Sequence, residues 1–242
     1  MKIIAHRGYS GKYPENTMLG FKKAAEAGCD EIELDVQITK DDILVIIHDE
    51  DIRRTTDGRG LVKDYSYEEL LQFNAGHLQA EEFGFHPIPT LDEYLDWVKD
   101  VPITTNIELK NRKYYYEKLE EKTIALIESY QLENKVILSS FNYASLVKCK
   151  QLRPNIECGV ISGQAEIWNG GYFAKTFGFE SYHPDYKKLT IGTVRNCIEY
   201  GIKVNVWNVN TIEALKDIYN MGCNGAITNY PDLCKKWLED KI

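Results

Sequence analysis

Apolar and polar residues alternate with a period of two in one segment near the start of the chain. Within residues 30–36, the apolar side chains point to one side of a strand, and Glu31, Glu33 and Asp35 point to the other. A short apolar run over residues 3–5 predicts a strand before it. A wholly acidic face is unusual for a strand in the core, so this face is a candidate for a functional site.

The next strand is predicted over residues 43–48, after a turn at residues 39–42. This connection is too short for a parallel crossover, so strands 30–36 and 43–48 must form an antiparallel hairpin. We therefore interpret residues 43–90 as an inserted region after the second strand. It contains a short helix from Ser66, which forms a capping box with Glu69.

Strands and helices alternate regularly through the rest of the chain. Strands are predicted at 103–109, 136–139, 157–161, 179–183, 203–207 and 225–228. Helices are predicted from Asn16 or Thr17 to Gly28, and at 91–98, 115–130, 143–152, 190–200 and 210–221, the last capped by Asn210 with Glu213. Without the hairpin arm, eight parallel strands predict an α/β fold of the TIM (β/α)8 barrel type, with the inserted region in its second βα loop. An open doubly wound sheet is the alternative, but its glycine-rich dinucleotide fingerprint is missing.

Length and composition limit the classes of protein that fit. The chain has 242 residues, which one barrel commonly reaches, so we expect residues 1–242 to form a single domain. A net charge of −8 argues against nucleic acid as a partner. Six cysteines without paired spacing predict free thiols in a reducing compartment. No signal peptide or membrane-spanning run is present in the sequence, so a cytoplasmic protein is expected.

Charged residues end the first three barrel strands. These are His6 with Arg7, Glu33 with Asp35, and Glu108 with Lys110. The carboxyl ends of barrel strands meet at one face, so these side chains should lie close together. Three carboxylates favour one divalent cation, Mg²⁺ or Ca²⁺, and burying them without a cation would be costly. We therefore predict a metal site at Glu33, Asp35 and Glu108.

Two histidines complete a set of groups for cleaving a phosphodiester. His6 ends the first strand, and His48 follows the predicted hairpin strand. One can activate the attacking oxygen while the other protonates the leaving alcohol, and the residues do not determine which is which. Arg7 and Lys110 can bind the non-bridging phosphate oxygens. The pattern predicts a metal-dependent phosphodiester hydrolase.

Ordered motifs along nearly the whole chain resemble those of the glycerophosphodiester phosphodiesterases. They are His6-Arg7-Gly8, Pro14-Glu15-Asn16-Thr17, Glu33-Leu34-Asp35-Val36, His48-Asp49, Arg54-Thr55-Thr56-Asp57-Gly58, Pro89-Thr90-Leu91, Glu108-Leu109-Lys110, Trp207-Asn208-Val209-Asn210 and Ile227-Thr228-Asn229-Tyr230-Pro231. The resemblance implies a TIM barrel, a divalent cation, and hydrolysis of small glycerophosphodiesters to sn-glycerol 3-phosphate and an alcohol.

The resemblance also implies roles for individual residues. His6 and His48 match the acid/base pair, Glu33, Asp35 and Glu108 the metal ligands, and Arg7 and Lys110 the phosphate contacts. Asn16 and Trp207 are further candidates for substrate binding. Asn229 departs from the pattern, because the family more often carries Asp there.

Two alternative functions fit the same residues. A lysophospholipase D-like hydrolase would need an exposed apolar rim, which Phe73, Phe83 and Phe85 of the inserted region could supply. A non-catalytic phosphate-ester binding protein would keep the pocket but would have no need of two proton carriers. The sequence does not specify an oligomeric state.

Overall fold

The computed structural model describes residues 1–163 and 167–241, and a parallel barrel dominates it. Eight parallel strands close the barrel, because β1 pairs with both β2 and β9. The strands are β1 (Lys2–His6), β2 (Glu31–Ile38), β3 (Leu44–Ile46), β4 (Thr104–Leu109), β5 (Val136–Ser140), β6 (Glu157–Ser162), β7 (Ser181–Pro184), β8 (Lys203–Val206) and β9 (Gly225–Thr228). The predicted TIM barrel is confirmed.

Helices cover the outside of the barrel, apart from two short ones that belong to the inserted region. They are α1 (Met18–Glu26), α2 (Tyr67–Leu70), α3 (Ala80–Phe83), α4 (Leu91–Val98), α5 (Leu119–Ser129), α6 (Tyr143–Leu152), α7 (Gly170–Thr176), α8 (Ile191–Glu199), α9 (Ile212–Met221) and α10 (Pro231–Glu239). The apolar face of β2, including Ile32 and Leu34, is fully buried beneath them. Burial of this apolar surface is the main force holding the two layers together. None of the described helices is long and apolar enough to cross a membrane.

The inserted region lies between β2 and β4 and begins with β3. This strand pairs antiparallel with β2, as the short turn before it predicts, but it is only three residues long. Ser66 forms the predicted capping box with Glu69 at the start of α2. A separate apolar cluster, which includes Ile52, Val62 and Ile88, holds the region together. The inserted region therefore has a small apolar core of its own, separate from the core of the barrel.

Several predicted boundaries were wrong. The predicted strand 179–183 begins two residues later, and the predicted helix 115–130 begins at Leu119. Thr211, rather than Asn210, caps α9 by accepting a hydrogen bond from the Ala214 backbone N–H. The side chain of Asn210 instead accepts one from the backbone N–H of Asn229, across the end of the barrel. A tertiary contact thus replaces the predicted local cap.

Three of the described helices were not predicted from the sequence: the short α3, and the longer α7 and α10. Helix α7 begins with two glycines, which disfavour helices. A Cβ atom at Gly171 would lie 2.5 Å from the Asn196 backbone oxygen, so the close approach of α8 requires glycine there. Helix α10 starts with Pro231 in its first turn, a common position for proline, so this residue was a signal for the helix.

All six cysteines lie among the described residues and are buried and unpaired. Burial raises the pKa of the Cys29 thiol to about 12 and has the same effect on that of Cys158. A thiol is nucleophilic only as a thiolate, so these side chains act as small apolar residues.

Candidate active site

Three carboxylates meet at the carboxyl ends of β2 and β4. Register pairs Asp35 directly with Glu108, and Glu33 lies two residues earlier on the same face of β2. One oxygen from each of the three groups lies within 4.8 Å of the others, and all three residues are buried. The structure therefore brings together the three predicted metal ligands.

The neighbouring charges distinguish Glu33 from Asp35. Burial, together with the charges of Asp35 and Glu108, raises the pKa of Glu33 well above its ordinary value. Burial also acts to raise the pKa of Asp35, but the charges of Lys110, His48 and Arg7 outweigh it and lower that pKa. The cluster thus holds more negative charge than its protein partners neutralise.

The donor set of this cluster fits a divalent cation. It consists only of carboxylate oxygens, which are the ligands preferred by Mg²⁺ and Ca²⁺. The Oδ1 atom of Asp35 is buried and has no hydrogen-bond partner among the described residues. A hard cation would satisfy that oxygen and lower the repulsion that raises the pKa of Glu33.

Arg7 and Lys110 both lie beside the carboxylates. The Nε atom of Arg7 is 3.4 Å from Asp35 Oδ2, and Lys110 Nζ is 2.7 Å from Glu108 Oε1. Lys110 Nζ is also 3.4 Å from Asp35 Oδ1. Both predicted phosphate-binding cations are therefore next to the candidate metal site.

Backbone geometry after β1 explains the residues His6-Arg7-Gly8. Arg7 and Gly8 have φ angles of 56° and 77°, in the left-handed region. This turn lets the Arg7 backbone N–H donate to Glu33 Oε2 at 2.8 Å. A Cβ atom at Gly8 would lie 2.7 Å from the Gly20 carbonyl carbon, so no larger residue fits there.

His6 is half-buried at the end of β1, where it lines a cavity. Burial and the nearby charge of Arg7 lower its pKa from 6.5 to about 4, so the ring is neutral at pH 7. Its Nδ1 atom lies 2.7 Å from Asn229 Oδ1. When the Nδ1–H group donates to that oxygen, Nε2 keeps its lone pair and can accept a proton. Asn229, the departure from the family pattern, thus contacts a candidate catalytic histidine.

His48 lies in the inserted region and belongs to a network of charged residues. Its Nδ1 atom is 2.5 Å from Asp49 Oδ1, a contact that orients the ring. Arg54 binds both Asp49 and Glu15, and Glu15 Oε1 is 2.9 Å from Arg7 Nη1. The network connects the inserted region to the turn after β1. Glu15, Asp49 and Arg54 occur in the motifs that carry the resemblance, but the sequence assigned them no role.

A cavity of about 170 Å³ opens at this end of the barrel. The predicted site residues that line it are His6, Arg7, Glu33, His48, Glu108 and Trp207. Lys110 lines an adjoining pocket, and Asp35 is buried beside the cavity. The structure places Asn16 behind the carboxylates, where its Nδ2 atom donates to Asp35 Oδ2 at 2.8 Å. We therefore interpret Asn16 as orienting Asp35 rather than binding substrate.

Other cavity residues were not predicted as part of the site. They are Asn106, Phe141, Ile161, His183, Asn208 and Ile227. Asn106 lies on β4 directly opposite Glu33, and His183 lies on β7. Both are polar residues on barrel strands, and that feature of the sequence could have identified them as candidates. Burial lowers the pKa of His183 to about 4, and its Nε2 atom is 3.0 Å from Ser181 Oγ. Gly159 leaves room for this ring, since a Cβ atom there would be 2.7 Å from His183 Nε2.

The three phenylalanines expected to form an exposed apolar rim for a lysolipid do not lie together on the surface. Phe73 is half-buried against Tyr65, and Phe83 is half-buried against Tyr13. Only Phe85 of the three is largely exposed, at 56%. Phe73 and Phe83 therefore do not contribute to the exposed apolar rim that a lysolipid substrate would need.

Comparisons with known proteins show which family this chain resembles. A family model described as "Glycerophosphoryl diester phosphodiesterase family" matches residues 6–233. The chain is 41% identical to a Bacillus altitudinis protein named "Glycerophosphodiester phosphodiesterase", over 99% of this chain and 98% of that one. It is 40% identical to a protein of the same name from Caldanaerobacter subterraneus, over 95% and 94% of the two chains.

A solved structure adds information about a ligand. The Oleispira antarctica phosphodiesterase, described as a complex with the product sn-glycerol-3-phosphate, superposes with a TM-score of 0.87. It is 31% identical, and the match covers 99% of this chain and 97% of that one.

Proposed function

The chain belongs to the glycerophosphoryl diester phosphodiesterase family, and from this membership we propose that it hydrolyses glycerophosphodiesters to sn-glycerol 3-phosphate and an alcohol. The product bound to the Oleispira antarctica relative supports the same choice of scissile bond. One observation carries the proposal. His6 and His48 line the same cavity as Glu33 and Glu108, with Arg7 beside them.

In this proposal His6 is the general base. Its neutral ring, held through Nδ1 by Asn229, accepts the proton of the attacking oxygen at Nε2. His48, oriented by Asp49, donates a proton to the departing alcohol. Positioned proton transfer of this kind typically contributes about 10²- to 10⁴-fold to a rate.

Arg7 and Lys110 bind the non-bridging oxygens in this scheme. Each lies within 3.4 Å of a carboxylate in the cluster, so both cations remain fixed before substrate arrives. Glu33, Asp35 and Glu108 would hold one divalent cation, Mg²⁺ or Ca²⁺. When bound, that ion supplies Lewis acidity to the phosphate oxygens.

We also propose that residues 1–242 act as one domain. The inserted region that carries His48 pairs through β3 with barrel strand β2, so the two parts share one sheet. The ion pairs of Arg54 with Glu15 and Asp49 add a second connection.

The test is release of sn-glycerol 3-phosphate from glycerophosphoethanolamine, with chelator and then with Mg²⁺ or Ca²⁺ added. We expect release only with the cation, and a loss of about 100-fold or more in His6→Ala and in His48→Ala. His77→Ala is the matched control, because His77 is exposed in the same inserted region. Circular dichroism checks that each variant folds. Wild-type turnover in either active-site variant would contradict the acid/base roles.

A further inference from the structure

A second pocket adjoins the catalytic cavity on the side of His48. It has a volume of about 480 Å³ and shares His48, Glu108 and Phe141 with the cavity. If His48 protonates the leaving alcohol, as proposed above, that alcohol lies next to this pocket. The cavity of about 170 Å³ is then left for the constant glycerol part.

Charged side chains line this second pocket on both sides, but one cation is unbalanced. Glu108 pairs with Lys110 at 2.7 Å, and Glu50 pairs with Lys113 at 3.2 Å. Across residues 1–163 and 167–241, no carboxylate forms an ion pair with Arg112. The three cations that line the pocket, Lys110, Arg112 and Lys113, therefore outnumber its two lining carboxylates, in a protein whose net charge is −8.

Arg112 also covers the aromatic wall of the pocket. Its guanidinium carbon lies 5.5 Å from the centroid of the Phe141 ring, and that ring packs edge-on against Trp207. A guanidinium that lies over a ring can still donate its N–H groups to a carboxylate or phosphate. It also occupies the ring face that a quaternary ammonium group would need.

We propose that the pocket lined by Arg112, Lys113 and Phe141 binds the leaving group, and that it selects head groups carrying an anionic carboxylate or phosphate. This inference rests on the proposed function and specifies its substrate class. An anionic head group can bind the N–H groups of Arg112, which has no carboxylate partner among the described residues. A choline group would instead meet the Arg112 cation, which covers Phe141, the only phenylalanine described in the lining of this pocket.

Glycerophosphoserine and glycerophosphoethanolamine make a matched pair, because they differ by a single carboxylate. We expect kcat/KM for the serine diester to exceed that for the ethanolamine diester by about fivefold at low salt, mainly through KM. The choline diester should be the poorest of the three. Raising the ionic strength should reduce the preference, since these charges are largely exposed.

Two variants test whether Arg112 causes the preference. Arg112→Gln should bring the ratio of the serine to the ethanolamine diester close to one, and Arg112→Lys should retain part of it. Arg195→Gln is the control, because Arg195 is an exposed cation on α8 and its loss changes the net charge equally. The control should keep the full preference. A preference that survives in Arg112→Gln, or an equal rate for both diesters in the wild type, would overturn the inference.

Binding measurements distinguish a failure of this inference from a failure of the proposed function. Calorimetric titration of both diesters into His6→Asn measures affinity without turnover. If neither diester is cleaved by the wild type, yet the serine diester binds more tightly in an Arg112-dependent way, then the proposed function is wrong and the anion-selective pocket stands. Equal affinities would refute the pocket whatever the rates.

Discussion

The carboxylate cluster should make the metal-free protein less stable, and Glu33→Gln tests this directly. Glutamine has the shape of glutamate and can still accept the 2.8 Å hydrogen bond from the Arg7 backbone N–H. The substitution therefore removes one negative charge while keeping the local packing. It also removes one of the three candidate metal ligands.

The size of the effect follows from the geometry of the cluster. Two carboxylate charges 4.8 Å apart repel by about 3 kcal/mol at an effective dielectric constant of about 20. Glu33 has two such neighbours, and Arg7 offsets part of their repulsion. We expect a net gain of about 2 kcal/mol in the free energy of unfolding, or about 4–8 °C in Tm for a chain of this size.

The assay is thermal unfolding with chelator, then with Mg²⁺ or Ca²⁺ added. Wild-type protein should be stabilised by the ion, by about 2.7 kcal/mol at one hundred times its Kd. Glu33→Gln should have a higher Tm than wild type without metal, and its Tm should rise much less when the ion is added. Because the pKa of folded Glu33 is raised above 4.5, metal-free wild type should also gain stability from this group as pH falls toward 4.5, and the variant should not.

Glu31→Gln is the matched control on the same face of β2. Glu31 is buried but pairs with Lys2 at 3.1 Å, away from the cluster. This control should lose stability and keep the full response to the ion. If Glu33→Gln were less stable than wild type without metal and responded to the ion as strongly, repulsion within the cluster would not be the cause.

Two further predictions concern His6 and His183, whose pKa values are both lowered. Asn229→Asp places a carboxylate 2.7 Å from His6 Nδ1, so the pKa of His6 should rise from about 4 and the acid limb of kcat/KM should move up by roughly 1–2 pH units; an unmoved limb in the pH–rate profile would count against His6 as the base. The pKa of His183 is lowered to about 4, so the unfolded chain takes up a proton between pH 6.5 and 4 while the native ring does not. Urea unfolding should show that wild type loses about 3 kcal/mol from this group over that range, and that His183→Asn loses correspondingly less; an unchanged acid loss in the variant would contradict the assignment.

Local rules applied to the sequence predicted the barrel and its functional face. Period-two alternation in strand β2 placed Glu33 and Asp35 on one side, and a four-residue turn forced an antiparallel arm after it. Once the strands were arranged as a barrel, strand-end residues had to meet at one rim. This topology is why Glu108 was expected close to Glu33 and Asp35, and the strand register then pairs it directly with Asp35.

The ends of elements were less predictable, because tertiary contacts compete with local preferences. Asn210 has a side chain suited to helix capping, but it bonds instead to the backbone of Asn229. Gly171 disfavours a helix locally, yet it lies in one because α8 packs closely against it.

Only the tertiary structure showed the residues that surround the catalytic groups. Asn229 contacts His6 across 223 positions of the chain, and Arg54 reaches Glu15 across 39. Such contacts depend on how the barrel closes and where the inserted region folds back, and no local pattern encodes those distances. The sequence therefore determined which residues could carry the chemistry, and the closed barrel decided which neighbours orient them, because orientation depends on contacts between distant segments.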